Sequence, residues 1–157
     1  MAEINRIGII GDGQLGRMMV EDGLRYNPEL KFTVLGTAGQ DSPAAQVGAR
    51  QIEGGLKDPA AIRALVEQSD VTTWEIEHID ADILADLEYE GHNIQPSPLS
   101  LMAIQDKYIQ KRHLDANGIA VAPYRLLRGQ DQLESVREAL GGDLMVKVRR
   151  GGYDGRG

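Results

Sequence analysis

The chain has 157 residues, 41% of them apolar and 26% charged, with no cysteine and a formal net charge of −7. That is room for one ordinary domain, or a small domain plus part of another. Without cysteine, disulfides and thiolate metal sites are excluded. The opening MAEINR carries an acid before only a short apolar run, which is not a signal-peptide pattern. No stretch approaches the ~18 apolar residues of a membrane helix, so a soluble, cytoplasmic protein with no membrane partner is expected. Charge is uneven: residues 1–100 hold 7 Lys+Arg against 17 Asp+Glu, and residues 101–157 hold 10 against 7. The acidic front argues against nucleic acid as a partner, because duplex binding depends on phosphate neutralisation. The basic back portion suits a small polyanion, or simply a solvated surface of the other sign.

Ile7-Gly8-Ile9-Ile10 is a strand that runs into glycine, and Leu15, Met18, Met19 and Leu24 follow at helical spacing. Phe32-Thr33-Val34-Leu35 is a second strand. Asp58-Pro59 opens a helix, since Asp caps and Pro suits the first turn, and Ile62, Leu65 and Val66 give it one apolar face. Val71-Thr72-Thr73-Trp74 reads as a strand. Asp80 caps a helix striped by Ile83, Leu84 and Leu87, and Gly91 ends it. This alternation over the first ~95 residues predicts an α/β fold with a parallel sheet. Pro96-Ser97-Pro98 then breaks the chain and places a domain boundary there, giving units 1–96 and 97–157. The second unit is predicted as a helix over 99–117 stopped by Gly118, a strand over 121–126, a helix over 130–140 and a strand over 144–148. No internal repeat is visible.

Gly11-Asp12-Gly13-Gln14-Leu15-Gly16 fits G-x-G-x-x-G between a strand and a helix. Three readings stand: a dinucleotide turn, another kind of anion site, or a structural tight turn. The dinucleotide version needs an acid at the end of the second strand. Here that strand runs into Gly36-Thr37-Ala38, and no acid appears before Asp41. Glu75 and Glu77 of Trp74-Glu75-Ile76-Glu77-His78 point one way if the backbone stays extended, so they either share a cation, amine or proton, or lie in a solvated loop. His78, His92 and His113 have no partner at ligand spacing, and no metal site is expected from them. Asp106-Lys107-Tyr108, with Lys111 one turn on, opens the basic portion. In the last predicted strand Leu144, Val146 and Val148 alternate with Met145, Lys147 and Arg149. A buried face and a cationic face then feed RRGGYDGRG, Arg149 to Gly157. Fixed charges beside free backbone N–H groups are the parts of a polyphosphate grip, and the alternative is an exposed tail.

In order, GDGQLGRM, WEIEH, PSPLSLMAIQDKYIQKRHLDANGIAVAPY and VKVRRGGYDGRG resemble the N-terminal part of the N5-carboxyaminoimidazole ribonucleotide synthetases, ATP-grasp enzymes of purine synthesis. The resemblance covers essentially the whole chain. It implies a Rossmann-like pre-ATP-grasp domain followed by the start of an ATP-grasp domain that stops in its Gly-rich loop. It also implies a carbon–nitrogen ligase: ATP phosphorylates bicarbonate to carboxyphosphate, and the amine of aminoimidazole ribonucleotide captures the carboxyl group. Lys107 and Lys147 would meet the ATP phosphates, under a flap made of Gly152, Tyr153, Asp154, Gly155, Arg156 and Gly157. Tyr153, Asp154 and Arg156 would be the catalytic positions. Gly13, Gln14, Leu15 and Glu75 would contact the ribonucleotide. The Mg2+ ligands and adenine pocket of that family come from later residues, so this chain alone is expected to be an inactive fragment. A homodimer of the full-length enzyme is compatible with the family. Two other readings remain: a related ATP-grasp ligase with another acceptor, and a non-catalytic ribonucleotide-binding module.

Overall fold

The computed structural model describes residues 4–38 and 41–152. Strands β1 (Arg6–Ile10), β2 (Lys31–Gly36), β3 (Arg50–Glu53) and β4 (Val71–Trp74) form one parallel sheet in the order β3-β2-β1-β4. Parallel neighbours need crossover connections. Helix α1 (Gln14–Tyr26) supplies one between β1 and β2, and α2 (Pro59–Glu67) another between β3 and β4. A short 3-10 turn, Ala45–Val47, lies between β2 and β3, and α3 (Ala81–Tyr89) follows β4. The chain then lays Ile94 beside Thr72: the Thr72 N–H donates to Asn93 O at 2.9 Å, and Gln95 N–H donates to Thr72 O at 2.8 Å.

The pleat separates two cores. Ile9 is paired with Val34, and both sit with Phe32, Val20 of α1, Ala44 and Ala49 on one face. Ile10 and its partner Leu35 turn to the other, where α2 packs through buried Ile62 and Leu65. Each fully buried Leu or Ile contributes about 1.5–3 kcal/mol relative to exposure. The caps follow the sequence reading: Asp58 accepts from Ala60 and Ala61 N–H, and Asp80 from Asp82 and Ile83 N–H. Gly91, at φ +100°, stands just past the end of α3.

Strand β3 was not expected. Its sequence is RQIE, and its buried side chain is a glutamine, so no apolar alternation marks it. As the edge of the sheet it also carries charge, a common way to protect an edge.

The chain divides into two compact units, Met1–Leu101 and Met102–Gly157. The start of α4 (Pro98–Gln105) therefore lies in the first unit, with Pro98 and Leu101 buried. The expected helix over 99–117 is in fact two. Asp106 interrupts it and caps α5 (Lys107–Ala116) by accepting from Tyr108 and Ile109 N–H. A capping side chain requires non-helical backbone at its own position, here φ −117° and ψ 106°.

The helix expected over 130–140 is a 3-10 turn, Gln130–Gln132, followed by α6 (Leu133–Leu140). Neither predicted strand, 121–126 or 144–148, forms among the described residues. Val146 and Val148 are exposed, so the expected buried face is absent too. A strand is stabilised by its cross-strand neighbours, and these segments have none among the described residues. In the described part of this unit Asp106 alone is buried. No helix among the described residues is long and apolar enough to cross a membrane.

Candidate functional site

The glycine turn lies at the carboxyl ends of β1, β2 and β4, where open parallel sheets bind ligands. Gly11 N–H donates to Leu35 O at 2.8 Å and Glu75 N–H to Ile10 O at 3.1 Å, so the segments after β1 and β4 leave the sheet side by side. The Glu75 carboxylate then reaches back onto the turn. One oxygen accepts from Gly13 N–H at 2.9 Å and the other from Gly16 N–H at 2.6 Å. Gly11 has φ +116°, and a Cβ there would lie 2.2 Å from Glu75 Cγ. Both the backbone conformation and the space require glycine.

The positive end of α1 already faces a carboxylate, that of Glu75. Glu75 takes up the Gly13 and Gly16 N–H groups, and Gln14 and Leu15, the first residues of α1, are exposed. The surface there presents the Glu75 carboxylate beside the exposed Gln14 and Leu15. It can receive a group that donates hydrogen bonds, such as an amine, next to one that accepts them. The strand ends at Trp74, short of both Glu75 and Glu77, and Glu77 Oε1 stands 3.5 Å from His78 Nε2.

Asp12 accounts for the glycine at the end of β2. Its Oδ2 accepts from Ala38 N–H at 3.1 Å and from Gln51 Nε2 at 3.0 Å. Gln51 Oε1 accepts from the Ser42 hydroxyl at 2.7 Å, and both residues are buried. The Asp12 side chain fills the space above Gly36 where a dinucleotide site places its ribose-binding acid. Strand β2 itself contributes no acid there, as the sequence already indicated.

In the second unit α5 begins beside the Gly-rich segment. Lys107 Nζ donates to Gly152 O at 2.9 Å, and Lys107 N–H donates to Arg149 O at 2.9 Å. Arg149 forks onto Asp106, Nε to Oδ1 at 3.1 Å and Nη2 to Oδ2 at 2.5 Å, and its guanidinium lies 5.6 Å from the Tyr108 ring centroid. Lys147 is exposed. Tyr153, Asp154, Gly155, Arg156 and Gly157 lie outside the described residues. Among the described residues no cluster of three His, Cys, Asp or Glu could hold a metal.

The Arg149 guanidinium holds the Asp106 carboxyl down at about 2; the Ile109 and Tyr108 N–H groups act in the same direction, against a partial opposing effect of burial. A depressed carboxyl adds stability above its unfolded value and loses it as pH falls through the folded one. The pair should thus stay intact through pH 4 and open only toward pH 2. Titration of the Asp106 carboxyl carbon by NMR checks this, and a midpoint near the ordinary 3.8 would show that the pair does not form.

The sequence reading named Gly13, Gln14, Leu15 and Glu75 together; in the structure Glu75 accepts from Gly13 N–H, and Gln14 and Leu15 follow at the start of α1. Lys107 and Gly152 also meet. It did not find the Asp12–Gln51–Ser42 chain or the Asp106–Arg149 fork. An aspartate with helix-forming residues on both sides, followed by two amides it could cap, was the available clue to Asp106.

A parallel α/β unit with a glycine turn at its strand ends, followed by a basic Gly-rich segment, defines a Rossmann-like α/β protein. Sequence comparison narrows the class. The chain belongs to the family with the ribonucleotide synthetase pre-ATP-grasp domain, which matches residues 4–105, and an ATP-grasp domain matches residues 112–157. It is 44% identical over 155 residues to phosphoribosylaminoimidazole carboxylase of Ogataea methanolica, covering 96% of this chain and 28% of that protein. The crystal structure of N5-carboxyaminoimidazole ribonucleotide synthetase from Thermotoga maritima superposes with a TM-score of 0.85 at 43% identity, over 95% of this chain and 40% of that one. N5-carboxyaminoimidazole synthase of Aspergillus clavatus, solved with ADP and 5-aminoimidazole ribonucleotide, gives 0.78 at 37% identity, over 88% and 36%. The chain thus spans well under half the length of each of these relatives.

Proposed function

We propose that this chain carries the ribonucleotide site and the beginning of the ATP site of a ligase that makes N5-carboxyaminoimidazole ribonucleotide. The observation that carries the reading is the Glu75 carboxylate seated on Gly13 and Gly16 beside Gln14 and Leu15. A carboxylate fixed by two backbone N–H groups is pre-oriented to accept from an amine of the aminoimidazole, and the neighbouring amides can donate to its ribonucleotide oxygens. The Aspergillus clavatus relative, solved with this ribonucleotide and ADP, supports the assignment.

In the reaction, a bicarbonate oxygen attacks the γ-phosphorus of ATP and ADP leaves. The amine nitrogen then attacks the carboxyl carbon, its C–O(P) bond breaks, and phosphate and a proton depart. Bicarbonate is a poor electrophile, so the phosphoryl group supplies the leaving group. The short-lived anhydride must be kept beside the amine and away from water. Lys107 and Lys147 are assigned to the ATP phosphates, with Gly152 at the root of a covering segment. Tyr153, Asp154 and Arg156 are assigned to the reacting groups, and Gly155 and Gly157 to the same segment. Magnesium would accompany the nucleotide, but the described residues offer no cluster to hold it. A domain boundary at residues 96–97, a homodimer and a cytoplasmic location belong to the same reading.

The full-length protein should hydrolyse ATP only with bicarbonate and faster with aminoimidazole ribonucleotide, whereas residues 1–157 alone should not. Lys147→Ala in the full-length protein should weaken ATP binding roughly tenfold, the loss of about one charge-assisted contact. Unchanged ATP affinity in a titration would remove Lys147 from the site. Ribonucleotide binding by residues 1–157 without ATP, measured by calorimetry, tests the first site independently of turnover.

A further inference from the structure

We propose that Asp106 and Arg149 are a positioning pair that clasps the root of the Gly-rich segment to the first turn of α5 and thereby sets where Lys107 stands. The inference rests on reading that segment as part of the nucleotide-phosphate site, and it adds residues that contact neither substrate.

The geometry is specific. Asp106 is the buried member of the described part of its unit, and each of its oxygens is committed. Oδ1 accepts from Tyr108 N–H at 3.0 Å, from Ile109 N–H at 3.2 Å and from Arg149 Nε at 3.1 Å. Oδ2 accepts from Arg149 Nη2 at 2.5 Å, with Arg150 Nε 3.5 Å away. A single carboxylate thus starts the helix and holds Arg149, 43 residues on in sequence. Two further bonds close the arrangement: Lys107 N–H to Arg149 O and Lys107 Nζ to Gly152 O. Between the clasped Arg149 and the Lys107-bound Gly152 lies Gly151 at φ +75°, a conformation that glycine accepts and other residues resist.

A planar fork on a carboxylate fixes direction as well as distance, which a lysine in place of arginine would not. The side chain of Lys107 leaves the helix one residue after the clasped aspartate. Its ammonium can meet a phosphate only if the helix start and the Gly-rich root keep their relation. Displacement of about 1 Å at such a site is enough for a roughly hundredfold loss.

The test uses the full-length protein with Arg149→Gln, Arg149→Lys and the double variant Arg149→Gln/Arg150→Gln, because Arg150 is near enough to substitute in part. Asp106 is kept, so α5 stays capped. The double variant should raise KM for ATP roughly tenfold to a hundredfold and leave KM for the ribonucleotide unchanged. Arg149→Lys should recover part of the loss. By NMR, hydrogen exchange at the Lys107 amide should quicken about tenfold or more, while Tyr108 and Ile109, still bonded to Asp106, should not change. An unchanged Lys107 amide, or an ATP KM equal to the unmodified protein's in the double variant, overturns the proposal. If the unmodified protein binds no ATP, the nucleotide reading falls, and the Lys107 amide decides the clasp by itself: faster exchange keeps it and unchanged exchange removes it.

Discussion

Glu75→Gln should weaken ribonucleotide binding by two orders of magnitude or more and lower the stability of the first unit by about 2 kcal/mol. The carboxylate uses one oxygen for Gly13 N–H and the other for Gly16 N–H. An amide has only one oxygen. Whichever way it is turned, its NH2 faces a backbone N–H, so one charge-assisted bond is lost and two donors oppose each other. The glycine turn then loses the contact that fixes the start of α1, and with it goes the acceptor proposed for the substrate amine. Urea denaturation and calorimetry with the ribonucleotide measure the two effects separately. Lost binding with an unchanged denaturation midpoint would mean that Glu75 meets the ligand but does not hold the turn. An unchanged midpoint with unchanged binding would remove it from the site.

Gly36→Ala should cost about 3 kcal/mol, a large effect for one methyl group at the end of a strand. A Cβ at this position would lie 2.0 Å from Asp12 Cγ and within 2.3 Å of both its oxygens. Asp12 would have to swing out, taking its acceptor away from Gln51 Nε2 and Ala38 N–H. Gln51 Nε2 would keep only longer contacts, to Ile52 O at 3.3 Å and Gly36 O at 3.4 Å. Removing a partner from a buried polar group costs more than the bond itself contributes. Gly55→Ala is the control: only Asp58 Cβ lies within reach, at 4.0 Å, and the position is exposed, so its midpoint should move by no more than about 0.5 kcal/mol. Similar losses in both variants would show that the Asp12 contact is not what excludes a side chain at residue 36.

These residues also mark how far the sequence could be read. Strands β1, β2 and β4 were visible because Ile9, Ile10, Val34, Leu35, Val71 and Trp74 form short apolar or β-branched runs. Helices α2 and α3 announced themselves through capping aspartates, whose hydrogen bonds reach only two or three residues. Strand β3 was hidden because its inward residue is Gln51, suited to burial only once Asp12 and Ser42 are beside it. In the second unit, alternation alone predicted strands that do not form among the described residues, since a pattern specifies a face but does not supply the strand to pair with. The same unit placed Asp106 inside a predicted helix, although capping made it the point where one helix ends and the next begins.

By itself, then, the sequence determined the α/β alternation, the turns, the caps and the family resemblance, because each is written in residues a few places apart. Only the tertiary structure decided what the glycine turn binds internally. Glu75 lies 62 residues from Gly13 and 59 from Gly16, and Arg149 lies 43 from Asp106. No local spacing encodes such contacts. The Glu75 contacts exist because adjacent parallel strands bring the loops after β1 and β4 together at the carboxyl end of the sheet, and because a carboxylate near backbone N–H groups gains more by turning onto them than by pointing into water.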